Sequence, residues 1–275
     1  MTGPVPIVPS DDVVRTYRYL RIALVGLVVL LATSVAMESL QRHRILGSIS
    51  EYYYTPVRAV LVGVLVASGV CLIALKGRGI EDVLLNLAGM VAPVVALVPA
   101  PLTTETDGDL RRLVPQDAAD NIDNNVAALL VTGAIVLVFS AWTALRRVTE
   151  RRAALLGVLA GAALLAGATI WFAAGPESFR SGAHYAAAIV LFGIFTAVAW
   201  SQARSGGRRT RWYGVIACLM LVSILVAIVC AAFQAAGHDP GHSWMFWVEG
   251  ALLTLFATFW TLQTIDYWET GLPIR

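Results

Sequence analysis

The chain alternates long apolar runs with short polar junctions, and within each run the apolar residues are continuous. Eight runs read as helices, near residues 22–37, 57–75, 83–98, 126–145, 153–174, 185–200, 213–233 and 244–262. A helix needs about 20 mostly apolar residues to cross the hydrocarbon core of a bilayer. The third and sixth runs are short, so flanking residues are expected to extend them. Continuous runs predict helices, whereas a membrane barrel needs short alternating strands. Helices also satisfy every backbone N–H and C=O without water. The expected fold is all-α: a polytopic transmembrane helical bundle of about eight spans, occupying 22–265. A segment 1–21 precedes it, a tail 266–275 follows it, and an acidic loop, 100–125, interrupts it.

Composition agrees with lipid as the solvent. Of 275 residues, 58% are hydrophobic and 14% are charged. Soluble domains carry about 25% charged residues. Too little chain lies between the runs for a separate soluble domain. The first run also has the parts of a signal sequence, with Ser34-Val35-Ala36 as a cleavage site. Its basic lead is long for that role, and cleavage would leave seven spans otherwise unchanged.

Charge sets the expected sidedness. With the amino terminus inside, 14 of the 20 Lys and Arg residues fall on the cytoplasmic side. They are Arg15, Arg18, Arg21, Lys76, Arg78, Arg146, Arg147, Arg151, Arg152, Arg204, Arg208, Arg209, Arg211 and Arg275. Arg42, Arg44, Arg58, Arg111, Arg112 and Arg180 fall outside. The positive-inside rule then puts both termini in the cytoplasm of a cell (inner or plasma) membrane. The basic clusters are short, and topology with anionic lipid accounts for them. Membrane lipids are the expected partners, and no nucleic acid is. The Gly206-Gly207 loop lacks the Lys-Ser/Thr ending of a phosphate loop, so no nucleotide is expected either. Cys71, Cys218 and Cys230 all fall inside runs and imply no disulfide framework.

Some local signals stand out. Thr55-Pro56 reads as a cap with proline at the first helical position. Pro93 is expected to kink the third span. Gly157 and Gly161, four apart, suit close helix packing within the bundle. The loop acids Glu105, Asp107, Asp109, Asp117, Asp120 and Asp123 lack the order of a calcium loop, so a solvated loop is expected. No internal repeat of the transporter kind is visible.

Candidate chemistry collects on the outer side. His43, His184, His238 and His242 all fall there in this topology. Asp239-Pro240 reads as a cap opening the last span, which puts Glu249 ten residues in, about 15 Å at 1.5 Å per residue. An ionisable group near mid-membrane needs a partner, water or a proton. Glu249 is therefore the candidate catalytic residue, with a structural anchor as the competing reading. His184, His242, Ser48, Ser50, Tyr52 and Arg58 are candidate binding residues. His184, His238 and His242 could supply the three nitrogens of a zinc site with an open position. Interfacial hydrogen bonding is the competing reading for the histidines, and an aromatic belt is the competing reading for Tyr52 to Tyr54.

Four segments carry a resemblance. Ser48-Ile-Ser-Glu-Tyr-Tyr-Tyr-Thr55 with Arg58, Asn86-Leu-Ala-Gly89 with Ala96-Leu-Val-Pro99, Ala183-His-Tyr-Ala-Ala187 and Phe246-Trp-Val-Glu249 together resemble an uncharacterised family of bacterial multi-pass membrane proteins. The resemblance implies a bundle in which the first outer loop, His184 and Glu249 belong to one design. It implies no activity. A fainter similarity, of chemistry rather than descent, is to membrane hydrolases of the alkaline ceramidase and adiponectin receptor superfamily. This chain lacks their Ser-x-x-x-His on an early span. The expected function is a non-catalytic membrane module, sensing a lipid or small molecule or serving as a partner subunit, with an outward-facing polar pocket. The alternative is an outer-leaflet lipid-modifying or hydrolytic enzyme, and the third reading is a transporter.

Overall fold

Eight α-helices are present among the described residues, with no strand among them. The computed structural model describes residues 11–77, 79–102, 118–146, 151–207, 209–238, 240–241 and 243–271, with backbone alone at 118 and 119. The helices are α1 (Asp11–Arg42), α2 (Arg58–Ala74), α3 (Ile80–Leu97), α4 (Ala118–Arg146), α5 (Arg151–Ala174), α6 (Pro176–Ala203), α7 (Thr210–Ala235) and α8 (Trp244–Asp266). A 3-10 turn, Ser50–Tyr54, lies between α1 and α2. Seven helices are long and apolar enough to cross a membrane, and α2 is apolar but has only 17 residues. The protein is a multi-pass membrane protein.

Helix α1 runs well past the apolar stretch 22–37 at both ends. Its 32 residues would span about 48 Å at 1.5 Å per residue, more than the ~30 Å core. Arg15, Arg18 and Arg21 continue it at one end, since long straight side chains are good helix formers. Helix α6 likewise absorbs the flanks of the short run 185–200. Pro93 sits inside α3, which continues through it to Leu97. The Thr55 hydroxyl accepts the Val57 N–H at 3.2 Å and donates to the Tyr52 carbonyl at 2.8 Å, but the N-cap of α2 is Val57, so Thr55-Pro56 forms the turn before the helix rather than the expected cap and first helical position. The helix proper begins three residues after Thr55.

Six helices pack as a closed ring. Around it, α1 contacts α2, α2 contacts α3, α3 contacts α6, α6 contacts α7, α7 contacts α8, and α8 returns to α1. Leu24, Leu85, Phe195, Met220, Phe256 and Phe259 fill its centre. The hairpin of α4 and α5 stands beside the ring, mainly against α3. Val131, Ile135, Val138, Phe139 and Leu159 on that hairpin are exposed, as lipid-facing side chains should be. Lipid removes the usual hydrophobic drive between helices, so close packing and polar contacts hold such a bundle together. Gly69 of α2 and Gly89 of α3 form the tightest seam. A Cβ at Gly89 would lie 2.6 Å from the Gly69 carbonyl oxygen. Gly161 meets Met90 and Leu137, so the Gly157–Gly161 pair packs within the bundle.

The end of the bundle where α1 begins and α8 finishes has a buried polar layer. Gln202 donates to Glu81 at 2.7 Å and accepts from the Tyr267 hydroxyl at 3.2 Å. Arg209 pairs with Asp266, which also accepts from the Tyr213 hydroxyl at 2.7 Å. Arg21, expected in a cytoplasmic flank, is inside the bundle at 3% exposure, its guanidinium 5.4 Å from the Tyr267 ring. The opposite end, called the loop end here, carries the 3-10 turn and the candidate site.

Candidate functional site at the loop end

The loop before α2 is shaped by its own side chains. Tyr52 is fully buried, and its hydroxyl meets Ser39 and the Leu46 N–H. The Ser48 hydroxyl accepts the Glu51 N–H at 3.1 Å and so caps the 3-10 turn. Glu51 in turn accepts the Gly47 N–H at 2.9 Å. The Gly47 carbonyl accepts the Phe246 N–H at 3.0 Å, satisfying a donor in the first turn of α8 that has no partner within its helix. These contacts leave the N–H groups of Ile49 and Ser50 pointing together, as in an anion-binding nest of backbone amides.

The occupant of that nest is Glu249. Its Oε2 accepts from Ile49 N–H at 2.5 Å and Ser50 N–H at 3.2 Å, and its Oε1 meets the Ser50 hydroxyl at 2.7 Å. The expected depth needs correction. Helix α8 starts at Trp244, not near Pro240, because Gly241 adopts φ 101°, a left-handed conformation that ends any regular helix there. Glu249 is therefore five residues in, about 8 Å, which is near the loop end rather than mid-membrane.

His184 completes the cluster. It is 4% exposed, held by α6. Its Nδ1 is 2.8 Å from the Val98 carbonyl oxygen and its Nε2 is 3.0 Å from the Ser50 hydroxyl. A carbonyl only accepts, so Nδ1 carries a proton. The Nε2–Oγ and Oγ–Oε1 contacts each need one more hydrogen. Neutral imidazole, hydroxyl and carboxylate together bring two hydrogens to these three contacts. Satisfying all three contacts takes one extra proton, and a unit so bonded is neutral overall. Either an imidazolium faces a carboxylate, or an imidazole faces a carboxylic acid. Shifting two protons through the Ser50 hydroxyl converts one form into the other. Neutrality also limits the cost of placing such groups away from water.

The other expected residues fall elsewhere. Ser48 and Tyr52 shape the loop as described above. Arg58 is exposed and lies over the Tyr53 ring at 4.3 Å. His238 is exposed beside Phe233, at 5.2 Å between rings. His242, Asp239 and loop residues 103–117 lie outside the described residues. No group of three His, Cys, Asp or Glu side chains able to hold a metal occurs among the described residues. Both nitrogens of His184 already have partners, His238 stands apart from them beside Phe233, and His242, the third zinc ligand expected, lies outside the described residues. The sequence reading missed the Val98 carbonyl and the Ile49 amide, because any residue type supplies a backbone group.

Tyr54 adds a pH-sensitive contact to the same loop. Its hydroxyl donates to the Ala100 carbonyl at 2.8 Å, and burial pushes its phenol from an ordinary 10.0 up to about 12. The folded chain then keeps a proton that the unfolded chain releases near pH 10. Stability from this group is complete below pH 10 and declines as pH rises toward 12. Thermal unfolding across that range should fall more steeply in the wild type than in Tyr54→Phe.

No protein-family model matches this chain, and no curated protein or solved structure matches it.

Proposed function

We propose that the protein is a non-catalytic membrane module that holds or senses a lipid or small apolar molecule, with both termini cytoplasmic. One observation carries this reading: the donors that a catalytic Ser50 would need already have internal partners. An acyl-transfer site requires free N–H groups aimed at the developing oxyanion. Here Glu249 occupies the Ile49 and Ser50 amides, and Ser48 occupies that of Glu51. The cluster works as a latch that fastens the outer loop to α6 and α8. The distribution of Lys and Arg supports the orientation.

A serine-directed fluorophosphonate should leave Ser50 unmodified in the purified protein, by intact-mass analysis. Stoichiometric labelling that is lost in Ser50→Ala would sink the module reading. Sidedness is read separately. Arg44→Cys should react with an impermeant maleimide in intact cells, beyond the reaction of the unsubstituted chain, and no added reaction would invert the map.

One geometric feature favours a second reading, an outer-leaflet lipid hydrolase. Ser50 lies at 3.0 Å from an imidazole whose other nitrogen is oriented by a carbonyl, the pairing of a nucleophile with its base. In that reading Glu249 moves away from the amides when substrate arrives. The fluorophosphonate experiment separates the two.

A further inference from the structure

A cavity of about 880 Å3 separates the α4–α5 hairpin from α2, α3 and α6. That volume lies in the range of ligand pockets, ~300–1,000 Å3. Its lining runs along α3 from Asp82 to Leu97, about 22 Å at 1.5 Å per residue. One leaflet's hydrocarbon is about half of ~30 Å, so the trough accepts a whole tail laid lengthwise. Most of the wall is apolar: Val70, Met90, Val94, Leu137 and Leu164 are representative.

Charged and amide groups gather at one end. Lys76 and Asp82 pair there at 3.2 Å, with the Lys76 side chain 41% exposed. Asn86 follows one turn further in, about 6 Å along the helix. Its amide has no hydrogen-bond partner among the described residues, although it lies within a membrane span. An amide so placed is costly without a partner. The other lining hydroxyls at this end need none, since Ser140 and Thr143 donate to carbonyls of their own helix at 2.9 Å.

We propose that this trough binds one zwitterionic glycerophospholipid with a primary-amine head group, an assignment that rests on the module reading and names its ligand. The neutral Lys76–Asp82 pair is matched by a neutral head group. Lys76 faces the phosphate and Asp82 faces the ammonium. An anionic head group would leave Asp82 facing negative charge. The Asn86 amide donates to an ester carbonyl. Its ~6 Å displacement fits the head-group zone, about 5–8 Å thick on each side of the core. One acyl tail then follows α3 toward Phe179.

Gly167 makes the test clean. It lines the trough, and a Cβ added there meets nothing within 4 Å. Gly167→Phe starts its side chain in open trough space, and it replaces a poor helix former. Gly193→Leu, equally open but outside the trough, is the control. Each full-length protein is equilibrated with vesicles of equal phosphatidylethanolamine and phosphatidylglycerol, extracted, and examined by native mass spectrometry. The wild type and Gly193→Leu should each retain one phosphatidylethanolamine, preferred by about tenfold. Gly167→Phe should retain none, and Asp82→Asn should lose the preference. Equal retention by Gly167→Phe, retention of both lipids in the supplied ratio, or no retained lipid would each overturn the proposal. The fluorophosphonate result is read on the same protein. An unlabelled Ser50 with no lipid rejects the trough and leaves the module reading standing, and a labelled Ser50 with a retained lipid does the reverse.

Discussion

Glu249→Ala should lower unfolding stability by about 2–4 kcal/mol, while Glu249→Gln should change it by less than about 1 kcal/mol. Alanine leaves the Ile49 and Ser50 amides without an acceptor. Each unsatisfied buried donor costs about 1–3 kcal/mol, and the lower part applies because both residues are only half-buried. Glutamine keeps an oxygen for the amides and offers an N–H to the Ser50 hydroxyl, which then donates to His184. That pattern copies the carboxylic acid form of the cluster. Glutamine therefore separates a hydrogen-bonding role from a charge role. Thermal unfolding in one fixed detergent measures both variants. Equal losses for Ala and Gln would show that the charge is required and that the imidazolium form dominates. A double variant with His184→Phe should lose less than the sum of the single losses, because the two residues share one network.

The second large effect concerns the α2–α3 seam. Gly89→Ala should cost about 1–3 kcal/mol through overpacking. Its Cβ would lie 2.5 Å from Ile73 Cγ1 and 2.6 Å from the Gly69 carbonyl oxygen. Ile73→Ala removes the first clash, but the backbone oxygen remains, so that second change should restore only part of the loss. The seam also positions the latch. Helix α2 follows the 3-10 turn that carries Ser50, and α3 leads directly to Val98. Prying the helices apart should therefore weaken the Glu249 network as well. The expected sign is a smaller loss for Glu249→Ala when Gly89 is already alanine. Full additivity of the two would show that seam and latch are independent.

The choice of solvent was legible in the chain. Continuous apolar runs of helical length leave lipid as the only medium, because a water-soluble helix needs a polar face. Glu249 was legible for the same reason, as a carboxylate inside such a run. The loop 48–55 entered as its neighbour only through the resemblance, which implied one design for that loop, His184 and Glu249. The helix limits were less legible, since Arg15, Arg18 and Arg21 extend α1 as readily as they would flank it.

What only the tertiary structure decided was which faces meet. In a soluble bundle the apolar stripe of each helix points to the core. Here the lipid side is as apolar as the protein side, as α7 illustrates: Ala217 and Met220 are buried while Leu221, Val222 and Val229 are exposed. Sequence periodicity therefore carries almost no facing information. The partners of Ser50 lie 134 and 199 residues away, and each of the two glycines meets the other's backbone oxygen. Side-chain identity marks where polar groups are expensive, and only the packing of helices in space says what satisfies them.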